Sequence, residues 1–341
     1  MKKTLLFTLM IVSVLSVQAQ KKVAYVTLNK TLTTTATPAP TTVQTDPIIQ
    51  VLSADPNLLV TVKVIAAGDA ISDLSNYDVI IVQESNGGGD ATLKPTGALA
   101  LKTIPKPFIY NKMYALQKSR ALTSTTSTAA GKEADGTTAG TLTITIDAAA
   151  LTNDLFKGCT LVNTNQIKLF NALSTDLGDI SVATSVKALN YNYGVTLSGG
   201  TLLAQPSILS ANTTCTVGIN SFPAGTTFEG TETTLAPSIF VGMNFGAICA
   251  NGGKNITSDG LTIWRNAVYI LAGLSVPNTP ASLPTAVNKV SESSEVVSEM
   301  YYNVNGVQVR EPKNNTNGVL IKKVTYKNGI VKSTKVALIN N

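Results

Sequence analysis

The chain has 341 residues, 44% of them hydrophobic and only 13% charged, and a formal net charge of +6. It contains no His, which removes Ser-His-Asp and Cys-His catalysis, His-ligated zinc and His-held haem. Residues 20–285 carry sixteen basic and sixteen acidic side chains, so the excess charge lies at the two ends and the body has no basic face to neutralise nucleic-acid phosphates.

The length suggests about two domains. Met1-Lys2-Lys3 is a positive n-region, residues 5–15 are a short apolar h-region, and Val17-Gln18-Ala19 fits a small-x-small cleavage site. Residues 1–19 therefore read as a secretory signal peptide, with Gln20 the new N-terminus. The apolar run is too short for a membrane span, and none is expected in the mature chain.

Val23-Ala24-Tyr25-Val26-Thr27 is an apolar run of the kind a strand buried on both faces shows. Asp46-Pro47 is an N-cap and N1 pair opening a helix over 48–52. A second strand follows over 58–65, a helical turn over 69–74 and a third strand over 78–84. The third strand runs into Asn86-Gly87-Gly88-Gly89-Asp90. Residues 93–101 read as a helix and Pro107-Phe108-Ile109-Tyr110-Asn111 as a fourth strand. Strands alternating with short helices argue for βαβ units and a parallel sheet.

Over 122–236 Thr, Gly and Ala dominate, and residues 141–146 alternate with period 2, which reads as a β-rich antiparallel insertion with a short helix at 154–156. The parallel pattern returns at 238–243. Thr257 or Ser258 then caps a helix with Asp259 at its positive end, a stripe of Leu261, Trp264, Val268 and Leu271, and a stop at Gly273. The expected fold class is α/β: a flavodoxin-like, doubly wound, mostly parallel sheet with a β-rich insertion, spanning 20–276. A linker over 277–290 leads to a small all-β module over 291–341. Cys159, Cys215 and Cys249 match no CxxC motif; one disulfide with an odd thiol, or three small buried hydrophobes, both fit.

In the tail, residues 301–309 read as two strands around an Asn-Gly turn, followed by strands at 318–324 and 330–338 separated by a second Asn-Gly. The Tyr-Asn-x-x-Gly-x-x-Val element marked by Tyr302, Gly306 and Val309, the strand opened by Gly318, and the closing Lys-x-x-Lys-Val-Ala-Leu with Lys332 and Lys335 resemble the type A C-terminal sorting domain of the type IX secretion system of Bacteroidetes. The resemblance covers the last 45 or so residues and is short at its N-terminal side. It implies recognition by the secretion machinery, passage across the outer membrane and removal of the tail. Release or attachment to surface glycolipid follows, so the expected location is secreted or on the outer-membrane surface.

The body resembles a divergent class I glutamine amidotransferase-like domain of the trehalose-utilisation-like kind. The residues that carry this are Ser75-Asn76-Tyr77-Asp78-Val79-Ile80-Ile81-Val82, the triple-glycine turn, Lys106-Pro107-Phe108-Ile109-Tyr110, and Thr257-Ser258-Asp259-Gly260-Leu261 leading to residues 266–273. In that family the fourth strand runs into a nucleophilic Cys, with His and Glu late in the chain. Here the corresponding residues are Asn111-Lys112-Met113. Only the glycine turn, the oxyanion pocket of the family, carries over, and a pocket without nucleophile and base completes no acyl-transfer cycle.

Ligands of open α/β sheets sit outside the carboxyl ends of the strands. That rule gathers Glu84, Asn86, Gly87, Gly88, Gly89, Asp90, Asn111 and Lys112 into one candidate crevice for a polar ligand such as a glycan. No catalytic residue and no metal site is assigned. With neither GxxxxGK[ST] nor GxGxxG spacing, no cofactor is expected. The expected function is that of an exported, non-catalytic protein. The alternatives are a glycan hydrolase using Glu84 with Asp90 or Glu229, and a purely structural surface protein.

Overall fold

The computed structural model describes residues 19–28, 46–66, 68–83, 91–94, 96–111, 113–116, 132–135, 142–171, 174–175, 186–187, 189–194, 199–209, 214–228, 232–241, 256–284, 296–303, 307–309, 318–326 and 331–338. The chain divides into two compact units, one ending at Val290 and the other Ser291–Asn341.

The large unit is built on one nine-stranded sheet. Its strands are β1 (Lys21–Leu28), β2 (Leu58–Ile65), β3 (Val79–Val82), β4 (Phe108–Tyr110), β5 (Thr143–Ile146), β6 (Gln166–Lys168), β7 (Thr201–Pro206), β8 (Ile219–Phe222) and β9 (Ser238–Val241). They lie in the order β2-β1-β3-β4-β9-β8-β7-β5-β6. The first five run parallel: Val23 of β1 faces Val60 on one side and Val79 on the other, Ile80 faces Phe108, and Ile109 faces Ile239. The last four run antiparallel. The Thr-rich region thus adds its strands to the edge of the same sheet. The fold is mixed α/β, with a large, mostly parallel sheet and few helices.

Two α-helices, α1 (Pro47–Ala54) and α2 (Ser258–Leu271), share one core with the sheet. Alternation along the strands sends Val23, Tyr25, Ile81, Ile109, Ile239 and Val241 to this helix-bearing face. It sends Ala24, Val26, Ile80, Val82, Phe108, Tyr110 and Phe240 to the opposite one. Each such side chain, moved from water to interior, contributes roughly 1.5–3 kcal/mol before entropy is counted. On the second face a file of aromatic rings, Phe108, Tyr110, Phe240 and Phe222, has successive centroids 6.2, 5.1 and 5.0 Å apart.

That second face is covered by turns where the sequence suggests a helix over 93–101. Gly97 N donates to Lys94 O, Ala100 N to Gly97 O and Thr103 N to Ala100 O, each a bond to the third residue back. At Gly97 the backbone folds so tightly that a Cβ would lie 2.2 Å from the Thr92 carbonyl oxygen. Only glycine fits there, and the apolar Leu93, Leu99, Leu101 and Ile104 reach the sheet from turns.

Helix α2 opens as its sequence suggests: the Thr257 hydroxyl accepts from Gly260 N at 3.0 Å, and Gly273 lies just past the end with φ +68°. Its burial goes beyond one stripe, since Thr262, Arg265 and Asn266 are buried as well. The Asn266 amide donates to the carbonyls of Asp154, Leu155 and Lys157, at 3.3, 3.1 and 2.8 Å. Arg265 donates to Thr279 O at 2.6 Å, and Ala281 N donates to the Thr262 hydroxyl at 2.7 Å. The segment read as the start of a linker therefore lies along α2, with Val276 and Ala281 in the core.

The small unit is a four-stranded antiparallel sheet of β10 (Val296–Asn303), β11 (Gln308–Val309), β12 (Gly318–Tyr326) and β13 (Val331–Leu338), ordered β11-β10-β12-β13. The hairpin between β10 and β11 closes through Asn303 N to Val307 O and Val307 N to Asn303 Oδ1, both 2.9 Å. Lys322 pairs with Glu299 across the strands at 2.8 Å.

Candidate functional site

The carboxyl ends of the parallel strands carry a set of buried polar side chains. Gln83 follows β3 directly, and its backbone N–H donates to Val26 O of β1. Asn111 follows β4, and its N–H donates to Val82 O of β3. These bonds hold both residues in line with the strands. Tyr25 reaches the same region from β1, and Asp46 stands at the head of α1.

Their side chains form a single file. The Asn111 amide nitrogen donates to Gln83 Oε1 at 2.8 Å, the Gln83 amide nitrogen to the Tyr25 hydroxyl at 2.5 Å, and the Tyr25 hydroxyl to Asp46 Oδ2 at 2.7 Å. Asp46 Oδ1 accepts the first free N–H groups of α1, from Ile48 at 2.9 Å and Ile49 at 3.2 Å. All four residues are buried. In so dry a setting each bond is electrostatically stronger than in water, and the members polarise one another. Burial holds the Asp46 carboxyl above the usual carboxylate range, while the Tyr25 hydroxyl and the helix N–H groups pull it back down.

Among the sequence-derived crevice residues, Asn111 is thus brought into a buried hydrogen-bonded file. Glu84, Asn86, Gly87, Gly88, Gly89, Asp90 and Lys112 lie outside the described residues, as do Glu229 and Cys249. Sequence reasoning passed over Gln83, Tyr25 and the deeper role of Asp46. Gln83 had a legible signal: an amide residue directly after an apolar strand, at the same offset as Asn111 after β4.

The two thiols among the described residues, Cys159 and Cys215, are held in the protonated form. Burial pushes Cys159 up to about 12, with Asp259 adding to the effect, and pushes Cys215 up to about 12 as well. Both are free thiols. A cavity of about 570 Å³ lies elsewhere, between the two segments that cover the second face, where Asp69, Ser72, Ser75, Thr96, Gly97 and Thr103 help to line it. It shares no lining residue with the file. Among the described residues no three His, Cys, Asp or Glu side chains gather to hold a metal, and no helix is long and apolar enough to cross a membrane.

In the tail, Tyr302 of β10 faces Gln308 and Ile321, and Val309 faces Tyr301. Gly318 opens β12 opposite Leu338, and Lys332 and Lys335 of β13 face Val324 and Ile321. Gly306 lies outside the described residues. Comparison of the chain with protein-family models, with curated proteins and with solved structures finds no match.

Proposed function

We propose that this chain is an exported, non-catalytic protein whose α/β body offers a polar ligand site at the carboxyl edge of its parallel strands. On this reading the small C-terminal sheet is the sorting module. The parallel order β2-β1-β3-β4-β9 supports a flavodoxin-like body of the amidotransferase-like kind. The single observation that carries the non-catalytic reading is the residue after β4. Where the resembling enzymes place a nucleophile, this chain has Asn111, with its amide spent on Gln83. A carboxamide so placed neither attacks a carbonyl nor moves a proton, and the chain has no His to act as base.

The sorting half of the proposal rests on the order and spacing of the tail elements, which fold here into one antiparallel sheet. Deleting residues 286–341 and fractionating the cells tests it. The full chain should appear outside the outer membrane and the truncated chain should be retained; equal export of both overturns the proposal.

A further inference from the structure

The two connections that cover the second face of the sheet, one following β2 and one leading into β4, leave a groove between them. They are tied together where Gly68 N donates to the Thr92 hydroxyl at 2.6 Å. The groove encloses about 570 Å³, within the range of about 300–1,000 Å³ typical of small-molecule sites. Ile71, Leu74 and Pro105 give it apolar lining, and Ser72, Ser75, Thr96 and Thr103 give it hydroxyls. Thr103 spends its proton on carbonyls of its own turn, Ala100 O being nearest at 2.8 Å, so its oxygen is left as an acceptor.

One charged side chain lines the groove, that of Asp69, and no Lys or Arg among the described residues joins it there. Asp69 Oδ2 accepts from Ala66 N at 2.7 Å, and Asp69 N donates to Ala66 O at 3.2 Å. These two bonds fold the turn after β2 and fix the carboxyl group in place. The second carboxylate oxygen, Oδ1, has no partner among the described residues. Asp73, a short way along the same connection, is different: Lys63 Nζ meets its Oδ2 at 2.7 Å. The charge of Asp73 is balanced and that of Asp69 is not.

We infer that this groove is a binding site for a small alkylammonium compound. The charged head pairs with Asp69, its other N–H groups go to lining hydroxyl oxygens, and its carbon stem lies on Ile71, Leu74 and Pro105. Charge sign decides the ligand class. An ammonium group has three donors and no acceptor, and it meets here a carboxylate oxygen and an oxygen that only accepts. An anion meets an uncompensated negative charge, and a neutral alcohol gains hydrogen bonds without the Coulomb attraction. The groove shares no lining residue with the Asn111 file, so the inference stands apart from the strand-edge ligand site proposed above.

The test uses three probes with one stem and different heads: n-butylamine, which is protonated at neutral pH as a lysine is, n-butanol and n-butyrate. Each is titrated into the full chain while nitrogen–proton NMR follows the backbone amides of Gly68, Asp69, Gly97 and Thr103. Butylamine should shift these amides at the lowest concentration, about fivefold below butanol, and butyrate should not shift them. Raising the salt from about 10 mM to about 1 M shortens the screening length from about 30 Å to about 3 Å and should remove most of the advantage of the amine over the alcohol. Asp69 is exposed, and in D69N the new carboxamide oxygen can still accept from Ala66 N, so the turn is kept while the charge is lost. That variant should bind butylamine about fivefold more weakly and butanol as before. The probe series and the salt dependence in the natural chain decide the matter even if D69N does not fold. No shift of the groove amides with butylamine, equal or stronger shifts with butanol or butyrate, an amine preference that survives high salt, or a folded D69N that binds the amine as the natural chain does each overturns the inference. Export of the chain and binding at the Asn111 edge bear on none of these readouts, so the proposals fail separately.

Discussion

Every residue of β3, β4 and β9 is buried, whereas buried and half-exposed positions alternate along β5 and β6. The two halves belong to one sheet, but they solve different problems. The inner parallel strands β3, β4 and β9 are sandwiched, with helices on one face and turns on the other, so both sides of each must be apolar, whereas the edge strand β2 carries exposed positions. Much of the antiparallel half has one covered face, so Thr can occupy the other without cost. The lesson is that coverage, not strand direction in itself, writes the hydrophobic pattern.

The largest test of this contrast asks whether thinner coverage admits solvent. Cys159 and Cys215 both belong to the antiparallel half of the chain, and both are pushed up to about 12 from an ordinary 9. In a C249S background at pH 8, alkylation of the folded protein should run roughly 1,000-fold slower than in urea, from the thiolate fraction alone. Mass spectrometry reads the modified fraction. The sign for stability follows: a folded-state pKa above the unfolded one helps below pH 9, and that help is lost as pH climbs toward 12. Tyr269, raised to about 12 by burial and by Asp55, acts in the same direction. Urea midpoints should therefore fall above pH 9, and a flat profile to pH 11 would break the picture.

Next in size is a pair of truncations. Ile109→Ala in β4, fully buried, should cost about 3–4 kcal/mol. Thr143→Ala in β5, half-buried, should cost less than about 1 kcal/mol. Trp264 is the chain's one Trp and is buried in the body, so its fluorescence during urea unfolding measures both. Comparable losses would erase the distinction between the halves.

Gly158→Ala should cost about 1–2 kcal/mol by the same assay. Its φ is +78°, and an added Cβ would stand 2.8 Å from Thr279 O. The smallest effect is expected at Ser238, buried at the start of β9, whose hydroxyl has no hydrogen-bond partner. Removing an unpaired buried hydroxyl relieves a desolvation cost, so Ser238→Ala should leave the unfolding free energy unchanged or raise it by up to about 1 kcal/mol. A clear loss would mean that the oxygen is used.

Much of this architecture was legible because single physical rules govern it. The apolar run at 23–27, the Asp46-Pro47 start of α1, the Thr257 cap and Gly273 stop of α2, and the Asn-Gly hairpin of the tail all depend on local chemistry. The turns over 93–101 were not, because Leu93, Leu99 and Leu101 meet the sheet whether the backbone is helical or not. The crowding at Gly97 that forbids the helix is a contact with Thr92 O, not a spacing. Arg265 and Asn266 lie off the Leu261, Trp264, Val268 and Leu271 stripe and are buried because the segments around 154–157 and 279 close over them. The Asp46 file was hidden for a similar reason. Its members lie 21 and 58 residues apart in sequence, and only the parallel register brings Tyr25 beside Asp46 and Gln83.

The strap that lies along α2 has a further consequence. Arg265 and Thr262 grip the chain at Thr279 and Ala281, before the sequence gives way to the last unit. The body carries its own fastening. A proteolytic cut downstream of Pro284 would sever none of the bonds that the described residues make between α2 and this strap, so the hold on α2 is local to the body's own last residues.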